Sequence, residues 1–172
     1  ILFVADEVMS GFGRTGEWFA VNHWKVVPDL ITMAKGLTAS YVPLGAVGMR
    51  RKIADHFQTN VFWGGLTYNS HPLGCATALA TIKVYEDDDL INRAKARGAF
   101  MKGLLNDLQA KHPIVGAVRS IGLFGIVELV KDRKTMEPMA AFNTVTEPMK
   151  KLGKFLRDNG LYTFVRWNTF FT

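Results

Sequence analysis

Residues 1 to 35 read ILFVADEVMSGFGRTGEWFAVNHWKVVPDLITMAK, and this stretch holds two apolar runs that each end at a charged residue. Residues 1–5 lead into Asp6, and residues 30–34 lead into Lys35. Continuous apolar runs of this length favour buried strands of a parallel sheet over strands that alternate between core and solvent. In open α/β sheets, ligands collect beyond the carboxyl ends of the strands. The sequence therefore predicts an α/β fold with an acid and a lysine at the ligand-binding edge of the sheet.

Asp6 and Lys35 are the two kinds of side chain that pyridoxal phosphate requires. This cofactor needs a lysine for its Schiff base and a group that holds a charge on its pyridine nitrogen, often an aspartate. A carboxylate beside that nitrogen favours the protonated form, which withdraws electrons from the substrate carbon. The alternative interpretation is a polar strand end at Asp6 and a solvated surface lysine at Lys35. The pair alone leaves both interpretations open.

Longer motifs around these two residues resemble a known family. The motifs are DEVMSGFGRTG at 6–16, DLITMAKG at 29–36, PLGA at 43–46 and GLTYNSHP at 65–72. In this order they resemble the signature of class III pyridoxal-phosphate aminotransferases, and the similarity continues to Thr172. Within the family, the chain is most similar to the ω-amino-acid and amine:pyruvate group, which includes taurine:pyruvate enzymes. The resemblance implies fold type I, with a mostly parallel α/β/α large domain and a small C-terminal α+β domain.

The resemblance also implies roles for individual residues in a ping-pong transamination. Lys35 matches the lysine that holds the cofactor and then moves the proton, and Asp6 matches the partner of the pyridine nitrogen. Val8 matches a cofactor contact. Two residues beyond Asp6, it would face the same way in an extended chain, although a core valine is the alternative.

Two further residues take their roles from the resemblance. Thr67 matches a threonine that reaches the cofactor phosphate of the neighbouring subunit, which implies a homodimer with shared active sites. Arg166 matches an arginine that recognises the carboxylate of the oxo-acid acceptor, and guanidinium groups bind carboxylates in bidentate fashion. A capping threonine and a surface arginine are the alternatives.

The order of elements predicts two domains, with residues 1–92 in a large cofactor-binding domain and residues 93–172 in a linking helix and a small domain. We predict helices at 73–85, 91–111 and 145–159, and strands at 45–49, 121–130 and 161–165. Asn69 or Ser70 is the predicted cap of the first helix, with Pro72 in its first turn. Gly160 is the predicted end of the last helix.

Family members are far longer than this chain, which we therefore expect to be the later part of one. The resemblance implies that a phosphate-binding loop and a ring-stacking aromatic residue precede the position of Ile1. We expect the chain alone to bind cofactor poorly and to be inactive.

Composition narrows the protein class less than the motifs do. The 172 residues are 48% hydrophobic, enough for a buried core. The net charge of +6 is spread along the chain without a basic arm, so we expect no nucleic-acid partner. Cys75 is the only cysteine, which excludes an internal disulfide and agrees with a cytoplasmic location. No apolar run approaches membrane-spanning length, and we expect no membrane partner.

Two kinds of rival function remain open. An aminomutase or a decarboxylating transaminase would use the same Lys35 and Asp6, because the cofactor makes several bonds labile. A nucleotide-binding α/β module is the rival from another class, since residues 11–16 have the form G-x-G-x-x-G. That fingerprint requires a helix to begin at once, and an acid at the end of the next strand. Residues 17–21 predict at best a short helix, and Asp29 precedes its strand.

Overall fold

A computed structural model describes all 172 residues, and they form two compact units. Unit 1 is Ile1–Lys95 and unit 2 is Ala96–Thr172. None of the helices is both long enough and apolar enough to cross a membrane.

Unit 1 is built on a three-stranded sheet of β1 (Val4–Asp6), β2 (Leu30–Met33) and β3 (Ala46–Met49), in the order β1-β2-β3. Strands β1 and β2 are parallel, as the apolar runs predict, whereas β3 is antiparallel to β2. Two helices follow, α1 (Arg51–Thr59) and α2 (Pro72–Asp87). Because β1 and β2 are parallel neighbours, the carboxyl ends of the two apolar runs lie at the same edge of the sheet.

The predicted burial of the first strand is only partly correct. Ala5 is buried, but Phe3 and Val4 are about half exposed. Alternate side chains of a strand face opposite sides of the sheet, so Val4 and Asp6 share the exposed side of β1 and Ala5 faces the covered side. Phe3 precedes the strand. Strand β1 is also the outermost strand of the sheet, with β2 as its one neighbour.

A 23-residue stretch without strands, residues 7–29, separates β1 from β2 along the chain and folds back over the sheet end. Its core is the buried ring of Phe12, which packs with Leu37 and Ala78. Residues 8–15 form turns, and the first helical element afterwards is a 3-10 helix, Ala20–Trp24. No α-helix opens at the G-x-G-x-x-G motif, so these residues lack the structure of a dinucleotide-binding fingerprint.

Asp29 anchors the start of β2 to both neighbouring strands. Its Oδ2 accepts a hydrogen bond from the backbone N–H of Phe3 at 3.0 Å. Arg50 and Lys52, just after β3, lie 3.7 and 3.4 Å from its Oδ1. The Phe3 hydrogen bond, followed by the two cations, lowers the pKa of Asp29. These contacts tie the amino end of β2 to β1 and β3.

Helix α2 begins at Pro72, as predicted, but the predicted cap is wrong. The capping residue is His71, whose Nδ1 accepts the N–H of Leu73 at 3.3 Å. Ser70 has φ +54, which turns the chain before His71 and removes Asn69 and Ser70 from the capping position. The helix ends at Asp87, and residues 88–89 separate it from α3 (Leu90–Lys111), in agreement with the two separate helices predicted here.

Unit 2 contains an antiparallel sheet of β4 (Val115–Ile121), β5 (Phe124–Asp132), β7 (Val165–Arg166) and β8 (Thr169–Phe171), with the two-residue strand β6 (Glu137–Pro138) beside β5. The order is β4-β5-β8-β7. The single strand predicted at 121–130 is wrong at its start, because Gly122 at φ +55 turns the chain into a β4–β5 hairpin. The strand predicted at 161–165 is also wrong, since only Val165 of that range is in a strand.

The core of unit 2 lies where its sheet meets α3 and α4 (Glu147–Asp158). Val127 is completely buried, and Leu105 of α3 and Met149 of α4 belong to the same cluster. Helix α4 ends just before Gly160, whose φ of +84 continues the chain out of the helix as predicted.

Candidate active site

The carboxyl ends of β1 and β2 form the edge at which Asp6 and Lys35 lie. Asp6 is the last residue of β1 and pairs with Thr32 of β2, and the N–H of Glu7 donates to the Thr32 carbonyl at 3.0 Å. Lys35 follows β2 after Ala34. Because the two strands are parallel and adjacent, both charged residues leave the sheet at the same edge.

Asp6 is exposed, and only one of its oxygens has a partner within the chain. Its Oδ1 accepts the backbone N–H of Val8 at 3.0 Å. This hydrogen bond orients the carboxylate from its own backbone and leaves Oδ2 available for a donor from a ligand.

Val8 does not have the extended conformation that the sequence argument assumed. Strand β1 ends at Asp6, and Val8 begins a turn, with its side chain half-buried. Alternation along a strand therefore does not relate Val8 to Asp6. The assignment of Val8 as a cofactor contact stays a prediction that depends on the resemblance alone.

Lys35 opens a single 3-10 turn, Lys35–Leu37, in an unusual backbone conformation. Its φ is +46, and the turn is closed by hydrogen bonds from the Leu37 N–H to Ala34 and from the Thr38 N–H to Lys35, at 3.0 and 3.3 Å. The side chain is exposed, and its amine makes no hydrogen bond or ion pair within the chain. A lysine amine in this state is free to react with a carbonyl group.

Glu7 is a part of the site that the sequence reasoning missed. It is 2% exposed, and its carboxylate accepts the Ser10 hydroxyl and the backbone N–H groups of Ala20 and Val21, the latter two at 3.0 and 2.9 Å. A buried carboxylate needs several donors, and the open N–H groups at a helix start supply them. The signal in the sequence was the pair of adjacent acids at 6 and 7. Neighbouring side chains point in different directions, so only one of the two acids can face the ligand edge and the other needs partners inside the protein. Glu7 fixes the chain that leaves Asp6.

Thr67 lies in a turn at residues 67–70, directly before α2. It is exposed, and its hydroxyl makes no hydrogen bond within the chain. All ten residues from 61 to 70 are exposed, including Trp63 at 94%. The Thr67 hydroxyl is therefore available to bind a group that does not belong to this chain.

Arg166 is the second residue of β7 in unit 2 and is exposed. Its guanidinium carbon lies 4.0 Å from the centre of the Trp167 ring, and that ring packs against Phe142 with centroids 4.3 Å apart. No acid pairs with Arg166. Stacking uses the face of the guanidinium and leaves the N–H donors at its edge free for an anion.

The groups at the β1–β2 edge fit pyridoxal phosphate by their chemistry. Lys35 presents an unpartnered amine, and Asp6 presents one unpartnered carboxylate oxygen that is held in place. The structure brings Asp6, Val8 and Lys35 to this edge, while Thr67 lies elsewhere in unit 1 and Arg166 belongs to unit 2.

Solved structures with the same fold are transaminases. The chain superposes on a taurine:2-oxoglutarate aminotransferase from Bifidobacterium kashiwanohense, solved with pyridoxal phosphate and glutamate, with a TM-score of 0.95 and 40% identity over 99% of this chain and 38% of that one. An (S)-enantioselective ω-transaminase from Thermomicrobium roseum gives a TM-score of 0.90 and 36% identity over 100% of this chain and 38% of that one. These likenesses define the fold as fold type I of pyridoxal-phosphate-dependent transferases, as predicted.

The sequence comparisons define the family. The family model for class-III aminotransferases matches residues 1–169. A putrescine–pyruvate aminotransferase from Pseudomonas aeruginosa is 43% identical over 80% of this chain. A taurine–pyruvate aminotransferase from Bilophila wadsworthia is 39% identical over 81% of it. The chain belongs to the class-III aminotransferase family, and the matched region spans 30% and 32% of the lengths of these two relatives.

Proposed function

We propose that the chain is part of a pyridoxal-phosphate-dependent transaminase, which moves an amino group from a terminal primary amine or ω-amino acid to an oxo-acid such as pyruvate. The observation that carries this proposal is the pair of Asp6 and Lys35 beyond adjacent parallel strands, each with an unpartnered polar atom. Membership of the class-III aminotransferase family supports the same reaction.

Four residues of unit 1 would hold the cofactor. Lys35 would bind the cofactor of its own subunit through Nζ, Asp6 would hold the proton of the pyridine nitrogen, and Val8 would contact the ring. Thr67 would bind the phosphate of the cofactor in the partner subunit. When bound, pyridoxal phosphate supplies an electron sink and a temporary carrier for the amino group.

The chain's own residues then divide the remaining work. Lys35 Nζ would act as the general base that takes the proton from the substrate carbon, and then as the general acid that gives this proton back. The Asp6 carboxylate would accept a hydrogen bond from the pyridine nitrogen of the cofactor. The Val8 N–H bond to Oδ1 holds that carboxylate in one orientation, so no reorganisation is needed as charge moves.

The substrates are proposed from relatives and from Arg166. Putrescine and taurine, which appear in the names of two relatives, are both primary amines on an unbranched carbon, and both enzymes are named for pyruvate. We assign the acceptor's carboxylate to Arg166, whose guanidinium edge has no acidic partner in the chain. A stacked arginine can bind a carboxylate with two hydrogen bonds.

The assembly is proposed to be a homodimer in which Thr67 reaches the cofactor of the partner subunit. The turn that carries Thr67 follows a series of exposed large apolar side chains, which are Val61, Phe62, Trp63 and Leu66. Large exposed apolar patches mark surfaces that other groups cover.

The proposal is tested by a screen of amine donors with pyruvate, using the complete protein and its Lys35→Ala variant. We expect alanine to form from pyruvate with at least one terminal amine, and the variant to lose turnover entirely. Lys102→Ala is the control, because Lys102 is an exposed lysine on α3 and should leave the rate unchanged. Full activity of Lys35→Ala, or release of carbon dioxide in step with product, would contradict the proposal.

A further inference from the structure

The backbone at Lys35 is held in a conformation that it would not adopt by itself. A residue other than glycine in the left-handed region costs about 1 kcal/mol or more, and Lys35 has φ +46. Such strained positions persist only where the surrounding structure fixes them. The groups that hold this turn therefore control the position of the Lys35 backbone and the direction in which its side chain leaves it.

Packing beneath the turn comes from Phe12. A Cβ added at Gly36 would lie 2.8 Å from the Cβ of Phe12, so the backbone of the turn rests directly on this buried side chain. Thr38, at the end of the turn, is 1% exposed and donates its hydroxyl to the carbonyl of Val42 at 2.7 Å. These contacts fix the position of the turn and of the chain that follows it. Neither of them is a hydrogen bond to the Gly36 carbonyl.

Tyr85 supplies that bond from helix α2. Its hydroxyl donates to the Gly36 carbonyl at 2.9 Å, across 49 residues of sequence. This is the only side-chain hydrogen bond to the backbone of Lys35–Leu37 in the chain. Burial raises the pKa of Tyr85, against a smaller opposing effect of Arg14, so the hydroxyl remains a donor at neutral pH.

The Tyr85 ring is itself fixed by other aromatic side chains. It stacks on Phe12 with centroids 6.0 Å apart and an interplanar angle of 26°. Trp18 meets it edge to face at 5.9 Å. The hydroxyl is therefore presented to Gly36 from a rigid position, and removal of its oxygen alone would leave this packing intact.

We propose, on the basis of the role proposed for Lys35, that Tyr85 is a positioning residue: its hydroxyl sets the Gly36 carbonyl and with it the direction in which the Lys35 side chain leaves the turn. Proton transfer by Lys35 Nζ depends on placement to a fraction of an ångström. Binding of the amine donor does not depend on it to the same degree. Tyr85 thus acts on the rate of the chemical step and not on substrate affinity.

The test uses Tyr85→Phe in the complete protein, with Tyr162→Phe as a control, since Tyr162 is 90% exposed. Amide hydrogen exchange of Leu37 and Thr38 is measured without cofactor. Single-turnover kinetics are measured with cofactor over a range of donor concentrations up to saturation, which gives the rate constant and the donor Kd.

In Tyr85→Phe we expect exchange at the two amides to become about fivefold faster, the effect of losing one hydrogen bond. We expect the single-turnover rate constant to fall about tenfold, with the donor Kd unchanged. Tyr162→Phe should leave both the exchange rates and that rate constant unchanged. Unchanged exchange, an unchanged rate constant, or a loss that appears in Kd instead would each overturn the proposal. A wild-type protein that forms no cofactor adduct at Lys35 overturns the proposed function as well, and the wild-type sample shows this separately from any effect of Tyr85.

Discussion

The proposed role of Asp6 depends on the charge of its carboxylate. Its hydrogen bonding allows the effect of that charge to be tested without changing the shape of the side chain. One oxygen is occupied by the Val8 N–H, and the other is free. An asparagine in this position keeps an oxygen for the Val8 N–H and keeps the volume, but it loses the negative charge. The substitution therefore isolates the electrostatic effect of the carboxylate.

We predict that Asp6→Asn lowers the single-turnover rate about 100-fold, a loss typical of removing one preorganised electrostatic contact. The affinity for the cofactor should fall much less, because Lys35 and the phosphate contacts remain. Stopped-flow kinetics and equilibrium dialysis measure the two quantities. Asp107→Asn, at an exposed site on α3, is the control. Equal rates for Asp6→Asn and wild type would refute the role of Asp6.

Among the elements, the turn after β2 is the one whose geometry matters most to the site. It has to place a lysine at the edge of the sheet while its own backbone lies against Phe12, which is buried and has φ +58. Only a residue without a Cβ fits at Gly36 in this arrangement. The glycine after the lysine thus has a packing reason that is independent of the cofactor.

Gly36→Ala should destabilise the protein by about 1–3 kcal/mol, because the added methyl group overpacks against Phe12. Gly103→Ala on α3 is a matched control, since a Cβ there meets nothing within 4 Å. We expect that change to stabilise the helix by roughly 0.5–1 kcal/mol. Urea unfolding curves of the two variants and the wild type measure both effects. A Gly36→Ala variant as stable as the wild type would show that the turn does not rest on Phe12 as described.

Long periodic or apolar segments were predictable from the sequence, and short elements that depend on a distant partner were not. The parallel β1–β2 pair and the helices α2 and α3 follow from local pattern. Strand β4 was missed because residues 115–121 become a strand only by pairing with β5, across a turn at Gly122.

The same distinction applies to the site. Asp6 and Lys35 could be found from local pattern, because each directly follows an apolar run. The burial of Glu7 and the bond from Tyr85 to Gly36 depend on packing between segments far apart in the chain. The conformation at Val8 depends on where β1 stops, which the apolar run does not fix.

For the whole molecule, the main proposal is that two subunits share each active site through Thr67. The chain covers about a third of the length of its relatives, and the residues before α2 expose a large apolar surface. Mixed dimers can distinguish a threonine that serves its own subunit from one that serves the partner.

We predict that a heterodimer of Lys35→Ala and Thr67→Ala subunits, isolated with two affinity tags, has about half of the wild-type activity per dimer. If Thr67 crosses to the partner, both substitutions fall in one site and the other site is intact. The Thr67→Ala homodimer should retain about a tenth of the activity or less, the effect of losing a hydrogen bond to a charged group. Heterodimer activity no higher than half that of the Thr67→Ala homodimer would mean that Thr67 serves its own subunit.

The account depends above all on Lys35 as the residue that holds pyridoxal phosphate. The measurement is the visible absorption spectrum of the complete protein with added cofactor, followed by borohydride reduction and peptide mapping. We predict a yellow protein whose reduced adduct lies on the peptide that contains Lys35, and no adduct in Lys35→Ala. A colourless protein, or an adduct on a different lysine, would contradict the account.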